Sequence, residues 1–187
     1  MKKNFKLFLA AAIFGSVALT SCSKDNEESN DEELITTVAL SFTPVGGGTT
    51  NTFQFRDVDG PGGNPPVIDE IVLSPGMAYN MSVRVLNESV TPTEDITIEI
   101  NNESTSHRFY HLPSAASGIV VDNLNTDGNG ITLGVTGRVT TGVASTGTYR
   151  VVLRHYGATP PDKVEADPVD SPKSSSDIDI TFSARVE

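Results

Sequence analysis

The chain has 187 residues, of which 24 are acidic and 13 are basic, so its formal net charge is −11 at pH 7. A charge of this sign disfavours nucleic acids as partners, because binding to their phosphates requires clustered lysine and arginine. The single cysteine excludes an intramolecular disulfide, and the absence of tryptophan disfavours a sugar-binding module that stacks aromatic side chains on sugar rings.

The first residues of the chain have the three parts of an export signal. Three lysines lie within the first six residues, an apolar run covers residues 7–19, and the sequence Leu-Thr-Ser ends before Cys22. The apolar run has 13 residues, whereas a helix that spans a membrane needs roughly 20. We therefore predict a signal peptide over residues 1–21 that is removed. The Leu-Thr-Ser-Cys ending resembles the lipobox of bacterial lipoproteins, which implies lipidation of Cys22 and a membrane anchor.

A strongly acidic segment follows over residues 22–33. It contains six acidic residues and no aliphatic or aromatic side chain, so it cannot bury enough surface to fold and is predicted to be a disordered tether. Lys24 followed by acidic residues resembles the surface-export signal of Bacteroidetes lipoproteins, which implies display on the outer face of the outer membrane. An acidic linker on a lipoprotein that faces the periplasm is the alternative. Removal of the signal peptide leaves 10 basic and 24 acidic residues, a net charge of −14 that favours cations and basic surfaces as ligands.

Residues 34–187 have the size of one domain, and their apolar and polar side chains alternate as in strands with one buried face. Glycine and proline clusters separate these segments. The pattern predicts an all-β fold: a single antiparallel β-sandwich, Ig-like, or a small barrel of about eight strands. The predicted strands cover residues 35–43, 52–56, 67–73, 79–85, 118–122, 131–139, 148–155 and 178–186.

Two segments depart from this regular pattern. Over residues 94–110, Ile96, Ile98 and Ile100 alternate as in a strand, while the acidic flanks also suit a helix. We predict a strand followed by a loop there. Residues 157–176 contain four prolines and many charges, which predicts an exposed loop outside the core.

The three histidines are candidate transition-metal ligands, because imidazole binds such ions well. His107 and His111 are four residues apart, and His155 ends a predicted strand. In a helix, the first two would lie about 5–6 Å apart on one face and could chelate one ion. In a strand they would lie about 13 Å apart, so a site would combine His155 with one of them and with carboxylates. Ordinary surface or hydrogen-bonding roles are the alternative.

Two loops have oxygen-rich spacing that suits calcium. Asp57 and Asp59 precede a glycine in one loop, and Asp122, Asn125 and Asp127 precede a glycine in the other. Hard cations need such oxygen clusters, and glycine permits the sharp turn around the ion. Neither loop completes the EF-hand pattern with its terminal glutamate. The alternative is that these residues only build turns.

The chain contains no motif of a known catalytic mechanism. A G-x-S-x-G elbow, a phosphate-binding glycine loop and a zinc-hydrolase motif are all missing from the sequence, and its one cysteine is the predicted lipidation site. We therefore expect a protein that is not an enzyme.

Several segments of the domain resemble a family of small Bacteroidetes surface lipoproteins. They are TPVGGGTTNTFQFRDVDGPGGNPP, VLNES, HRFYH, TGTYRVVLRH and ITFSARVE, and the resemblance spans nearly all of the domain. Members are often labelled "type 1 periplasmic binding fold superfamily" and accompany TonB-dependent outer-membrane receptors. The label implies an α/β fold, whereas the strand pattern, without βαβ alternation, predicts an all-β one. Within the resemblance, histidines at the positions of His107 and His155 recur and the position of His111 varies, which favours the first two as a pair.

These observations predict a lipid-anchored protein of the outer membrane that is exposed at the cell surface. We expect a binding module that captures a small ligand, a metal ion or metal complex, for a TonB-dependent transporter. The bound ion would be a transition metal or Ca²⁺. The alternative is a structural or adhesive module that makes only protein contacts.

Overall fold

A computed structural model describes residues 34–60 and 62–187. The predicted signal peptide and tether, including Cys22, lie outside the described residues. Within these residues the helical elements are α1 (Thr97–Asn102) and a 3₁₀ turn (Ala115–Ser117). The strands are β1 (Thr37–Pro44), β2 (Asn51–Arg56), β3 (Val67–Ile68), β4 (Ile71–Leu73), β5 (Ala78–Asn87), β6 (Glu94–Asp95), β7 (His107–Pro113), β8 (Ile119–Asp122), β9 (Thr136–Thr141), β10 (Ser145–His155) and β11 (Ser175–Val186).

The strands form two sheets, and the predicted all-β sandwich is confirmed. The first sheet has the order β3-β2-β1-β5-β9-β8, with β6 beside β5, and all its pairs are antiparallel. The second sheet has the order β4-β11-β10-β7, and its β4 runs parallel to β11. The two sheets share one hydrophobic core rather than closing into a barrel.

The core follows from the alternation of side chains along each strand. On β5, Tyr79, Met81, Val83 and Val85 are buried, while the residues between them are polar and exposed. The long strands β10 and β11 contribute buried side chains from the opposite sheet. Burying each large apolar side chain contributes about 1.5–3 kcal/mol, so this shared core is the main source of stability of the sandwich.

The prediction of a strand and then a loop over residues 94–110 is wrong. The chain forms the short strand β6, the helix α1 and then the strand β7. Ile96 and Ile100 are buried and Ile98 is 63% exposed, which is a helical spacing of four rather than a strand spacing of two. The Thr97 hydroxyl accepts a hydrogen bond from the Val85 amide. This contact with β5 stabilises the first turn of the helix, although the local sequence pattern suits a strand.

Other segments also differ in detail from the prediction, among them residues 131–139, where the strand begins only at Thr136. The predicted strand over residues 67–73 divides after Ile68, and its halves join different sheets. Residues 157–176 are mostly exposed, as expected, but Lys163, Asp167 and Ser171 are buried. The Lys163 side chain bonds to the sandwich, whereas the side chains of Asp167 and Ser171 form hydrogen bonds within the loop.

Candidate metal centre

His107 and His155 face each other at one end of the second sheet. His107 is the first residue of β7 and His155 the last of β10, and the antiparallel register places them directly opposite. Their rings are stacked, with centroids 4.6 Å apart and planes 24° apart. Directly opposite residues of an antiparallel pair point to the same face of the sheet, so the two imidazoles are neighbours although 47 positions separate them in the sequence.

Glu103 is the third member of the cluster and is not among the predicted ligands. It caps the C-terminus of α1, and a turn closed by the hydrogen bond from the Ser106 amide to the Glu103 carbonyl leads into β7. One ligand atom each from Glu103, His107 and His155 lie within 4.8 Å of one another. Within the described residues, this is the one group of three histidine, cysteine or carboxylate side chains with metal-binding proximity. The only sequence signal for Glu103 is its spacing of four residues from His107. That spacing brings the two side chains together only if the segment forms a helix or a turn.

The protonation state of His107 suits coordination. Its Nδ1 lies 3.1 Å from the Glu103 backbone oxygen, and because a carbonyl only accepts, Nδ1 carries the proton. The other nitrogen, Nε2, therefore has a lone pair for an ion, an arrangement typical of metal-binding histidines. Burial of the side chain lowers the pKa of His107 to about 4, against the opposing effect of the hydrogen bond to Glu103. His107 is thus neutral at neutral pH.

The ligand atoms of the cluster lie somewhat farther apart than the ligand atoms of a site that holds a zinc ion. Zinc bonds of about 2.0–2.2 Å in a tetrahedral site place ligand atoms roughly 3.3 Å apart. Closing from the observed limit of 4.8 Å requires side-chain shifts on the order of 1 Å. Glu103 is exposed and His155 is half-buried, so both have space to move, while His107 is only 2% exposed and stays in place. Three protein ligands leave a fourth position open to water or to another ligand.

A buried lysine bonds to the turn that connects Glu103 to His107. The Lys163 ammonium lies 2.7 Å from the Asp127 carboxylate, and the two side chains are 1% and 0% exposed. It also donates hydrogen bonds to the backbone oxygens of Ser104, at 2.7 Å, and His107, at 2.8 Å. Burial tends to raise the pKa of Asp127, but hydrogen bonds from Lys163 and from two backbone amides hold it below its ordinary value. Lys163 therefore fixes the turn that presents Glu103 and His107.

The structure does not bring His111 to the other two histidines. Its Nε2 lies 2.8 Å from the Gly134 carbonyl oxygen, so it is the nitrogen that donates, and Nδ1 accepts from the Tyr149 hydroxyl at 3.1 Å. Burial of the ring lowers the pKa of His111 to about 4. With both nitrogens bonded to the protein, His111 is a structural residue, and its candidacy as a metal ligand has no support in the geometry.

The loop that contains Asp57 and Asp59 is organised as a turn. The Asp59 carboxylate accepts hydrogen bonds from the backbone amide of Asn64, at 2.9 Å, and from its side chain, at 2.7 Å. These bonds from Asn64 lower the pKa of Asp59. The Asp57 amide donates to the Thr36 carbonyl at the start of β1. The bonds of Asp59 fit the turn-building alternative.

The second calcium-like loop also uses its oxygens internally. Asp127 Oδ1 accepts hydrogen bonds from the Asn129 and Ile131 amides, and Oδ2 pairs with Lys163. Asn125 Oδ1 accepts from the Thr136 amide. The third oxygen donor, Asp122, is exposed at the end of β8. Because the Lys163 ammonium already balances the charge of Asp127, this loop does not have the geometry expected of a calcium site.

Comparisons with protein-family models, with curated proteins and with solved structures find no match to this chain. In the part of the chain that the structure describes, no helix has the length and apolarity that crossing a membrane requires.

Proposed function

We propose that this protein is a binding protein that captures a divalent transition-metal ion through Glu103, His107 and His155. The observation that carries the proposal is the opposed pair of imidazoles with a carboxylate beside it, all within 4.8 Å. The neutral state of His107 supports it, because a protonated imidazole cannot bind a metal.

The ligand set favours transition metals over Ca²⁺. Imidazole nitrogen suits zinc, copper, iron and nickel, whereas calcium needs six to eight oxygen ligands. Affinities of such sites rise toward Cu²⁺ and fall again at Zn²⁺, so we expect Cu²⁺ to bind more tightly than Zn²⁺. The exposed carboxylate of Glu103 leaves the ion accessible to solvent, which suits capture and release better than a permanent structural role.

We further propose that the domain is lipid-anchored at Cys22 on the outer membrane and displayed at the cell surface. The export signal, the Leu-Thr-Ser-Cys sequence and the acidic segment after it support this placement. In that position the protein would deliver its ion to a TonB-dependent transporter. We propose a role in binding rather than catalysis because the sequence contains no motif with a catalytic mechanism.

Calorimetric titration of the purified, EDTA-treated protein tests metal capture. We expect one Cu²⁺ or Zn²⁺ per chain and no comparable binding of Ca²⁺. His107→Ala, His155→Ala and Glu103→Gln should each weaken binding about tenfold or more, since even outer-shell changes have effects of 10–100-fold. The matched control is Glu99→Gln, an exposed carboxylate on the same helix. Absence of binding by the unaltered protein would refute the proposal and favour the structural or adhesive module.

Mass spectrometry and fractionation test the anchor. The protein purified from membranes should carry acyl chains on residue 22, and Cys22→Ser should abolish both the added mass and the membrane association. Protease treatment of intact cells then distinguishes the two faces of the outer membrane, because only a surface-exposed domain is digested.

A further inference from the structure

A polar groove on the outer face of the first sheet is separate from the metal cluster. Its volume is about 540 Å³, within the range of small-molecule sites. The register aligns Thr43 with Asn80, Asn80 with Arg138, and Ser82 with Thr136 across β1, β5 and β9. Its polar lining consists of Thr43, Asn80, Ser82, Asn123, Thr136 and Arg138.

Arg138 is an unpaired cation in a strongly acidic chain. Every other lysine and arginine that the structure describes forms an ion pair or donates a hydrogen bond to the protein, whereas Arg138 does neither. Its neighbours in register are Asn80 on β5 and Asp122 on β8, and the Asp122 carboxylate forms no ion pair with it. The guanidinium is therefore available to an external carboxylate, which it can bind with two parallel hydrogen bonds.

Four other polar side chains of the groove are also available, whereas the Thr43 hydroxyl shares a hydrogen bond with that of Thr50. The side chains of Asn80, Ser82, Asn123 and Thr136 form no hydrogen bond with any residue in the described ranges. Asn123, which also lines the groove, has a left-handed backbone with φ of 49°, a conformation that non-glycine residues rarely adopt. Short hydroxyl and amide groups on a rigid sheet are fixed donors and acceptors, and they match the closely spaced hydroxyls of a sugar ring.

We infer that this groove binds a small saccharide that carries a carboxylate, such as a uronic acid. Arg138 would hold the carboxylate, and Asn80, Ser82 and Thr136 would bind ring hydroxyls. An apolar ligand would gain little, because the one large apolar side chain in the lining, Met81, is 2% exposed. Recognition here relies on hydrogen bonds from a sheet, so it does not need the aromatic platforms that the composition disfavours.

An NMR titration of the purified protein with digalacturonate tests this inference. The protein is kept in EDTA, so the outcome is independent of the metal cluster. We expect saturable shifts of the amide signals of Asn80 and Arg138. Arg138→Ala should weaken binding at least tenfold, because a hydrogen bond to a charged group is lost, and Asn80→Ala should weaken it less. The matched control is Arg150→Ala, a partly exposed arginine of the second sheet, and this variant should bind the ligand normally.

Two simpler ligands separate the contribution of the carboxylate from that of the sugar hydroxyls. Galactose, which lacks the carboxylate, should bind at least tenfold more weakly than galacturonate, and acetate should cause no saturable shifts. The inference is overturned if digalacturonate does not bind, if Arg138→Ala binds it as well as the unaltered protein does, or if acetate reproduces the same shifts. Because Arg138 is exposed and unpaired, its replacement leaves the fold intact, and a thermal melt verifies this.

Discussion

Replacing Lys163 with methionine should destabilise the protein far more than its place in a charged, proline-rich loop suggests. The substitution keeps an unbranched side chain of nearly the same length but removes the ammonium. The Asp127 carboxylate, which is 0% exposed, then loses its counter-ion, and the carbonyls of Ser104 and His107 lose a donor.

The expected loss follows from burial. Removing one partner of a buried ion pair destabilises a protein by about 3–5 kcal/mol, because the remaining charge stays buried without compensation. In a domain of this size, each kcal/mol lowers Tm by roughly 2–4 °C, so Lys163→Met should lower Tm by about 6–20 °C. The control is Arg150→Met. Arg150 also pairs with a carboxylate, that of Asp179, but the two side chains are 41% and 48% exposed, so only a small loss of stability is expected.

A double-mutant cycle with Asp127→Asn measures the coupling. The free energies of unfolding of the two single variants and of the double variant are measured in urea. The double variant should be more stable than the sum of the two single effects predicts, by about 1–3 kcal/mol, because it no longer contains a buried carboxylate without a counter-ion. A free energy of unfolding of Lys163→Met within 1 kcal/mol of that of the unaltered protein would contradict the expected cost of the unpaired carboxylate. Additive effects of the two substitutions would contradict it as well.

Three further predictions concern the core and its turns. Because the folded pKa of His111 is lowered to about 4 from 6.5, the unfolded chain binds more protons between these values, so stability should fall as pH falls through this window. One such histidine contributes about 1.4 kcal/mol per pH unit, and His111→Gln should reduce the slope in urea unfolding at pH 5–6. Ile100→Ala should destabilise by about 2–5 kcal/mol, whereas Ile98→Ala, at a position that is 63% exposed, should have little effect in the same assay. Gly134→Ala should lower Tm clearly, because Gly134 has φ of +81° and an added Cβ would lie 2.7 Å from the Phe109 carbonyl oxygen.

Each of these predictions has a contradicting result. An unchanged pH slope in His111→Gln would mean that His111 is not held neutral in the folded state. Equal effects at Ile98 and Ile100 would mean that α1 does not bury the face described. A normal melt of Gly134→Ala would mean that the backbone there relaxes without strain.

Periodicity explains why much of the architecture could be read from the sequence. Strands such as β5 and β11 bury every second side chain over ten or more residues, and a period of two is a local property that needs no knowledge of the partner strand. The same alternation misled at Ile96, Ile98 and Ile100. There, three residues are too few to separate the two periods, and the contact of Thr97 with β5 favours the helix.

The candidate site depended on long-range register, which no local pattern contains. His107 and His155 were recognised as residue types that bind metals, but the pairing of β7 with β10 brings their rings together, and a turn adds Glu103. The burial of Lys163 could not be predicted from its neighbours in the sequence either, because a lysine in a charged, proline-rich segment is expected to be exposed. It is buried because Asp127, 36 residues earlier, and two backbone carbonyls compensate its ammonium. The strand pattern and the acidic charge can be read from the amino-acid order, since each depends on residue types and on neighbouring residues alone, whereas the N-terminal export signal stays a prediction. Which distant polar groups meet depends on tertiary structure, because strand register and the packing of loops on the sheets set those distances.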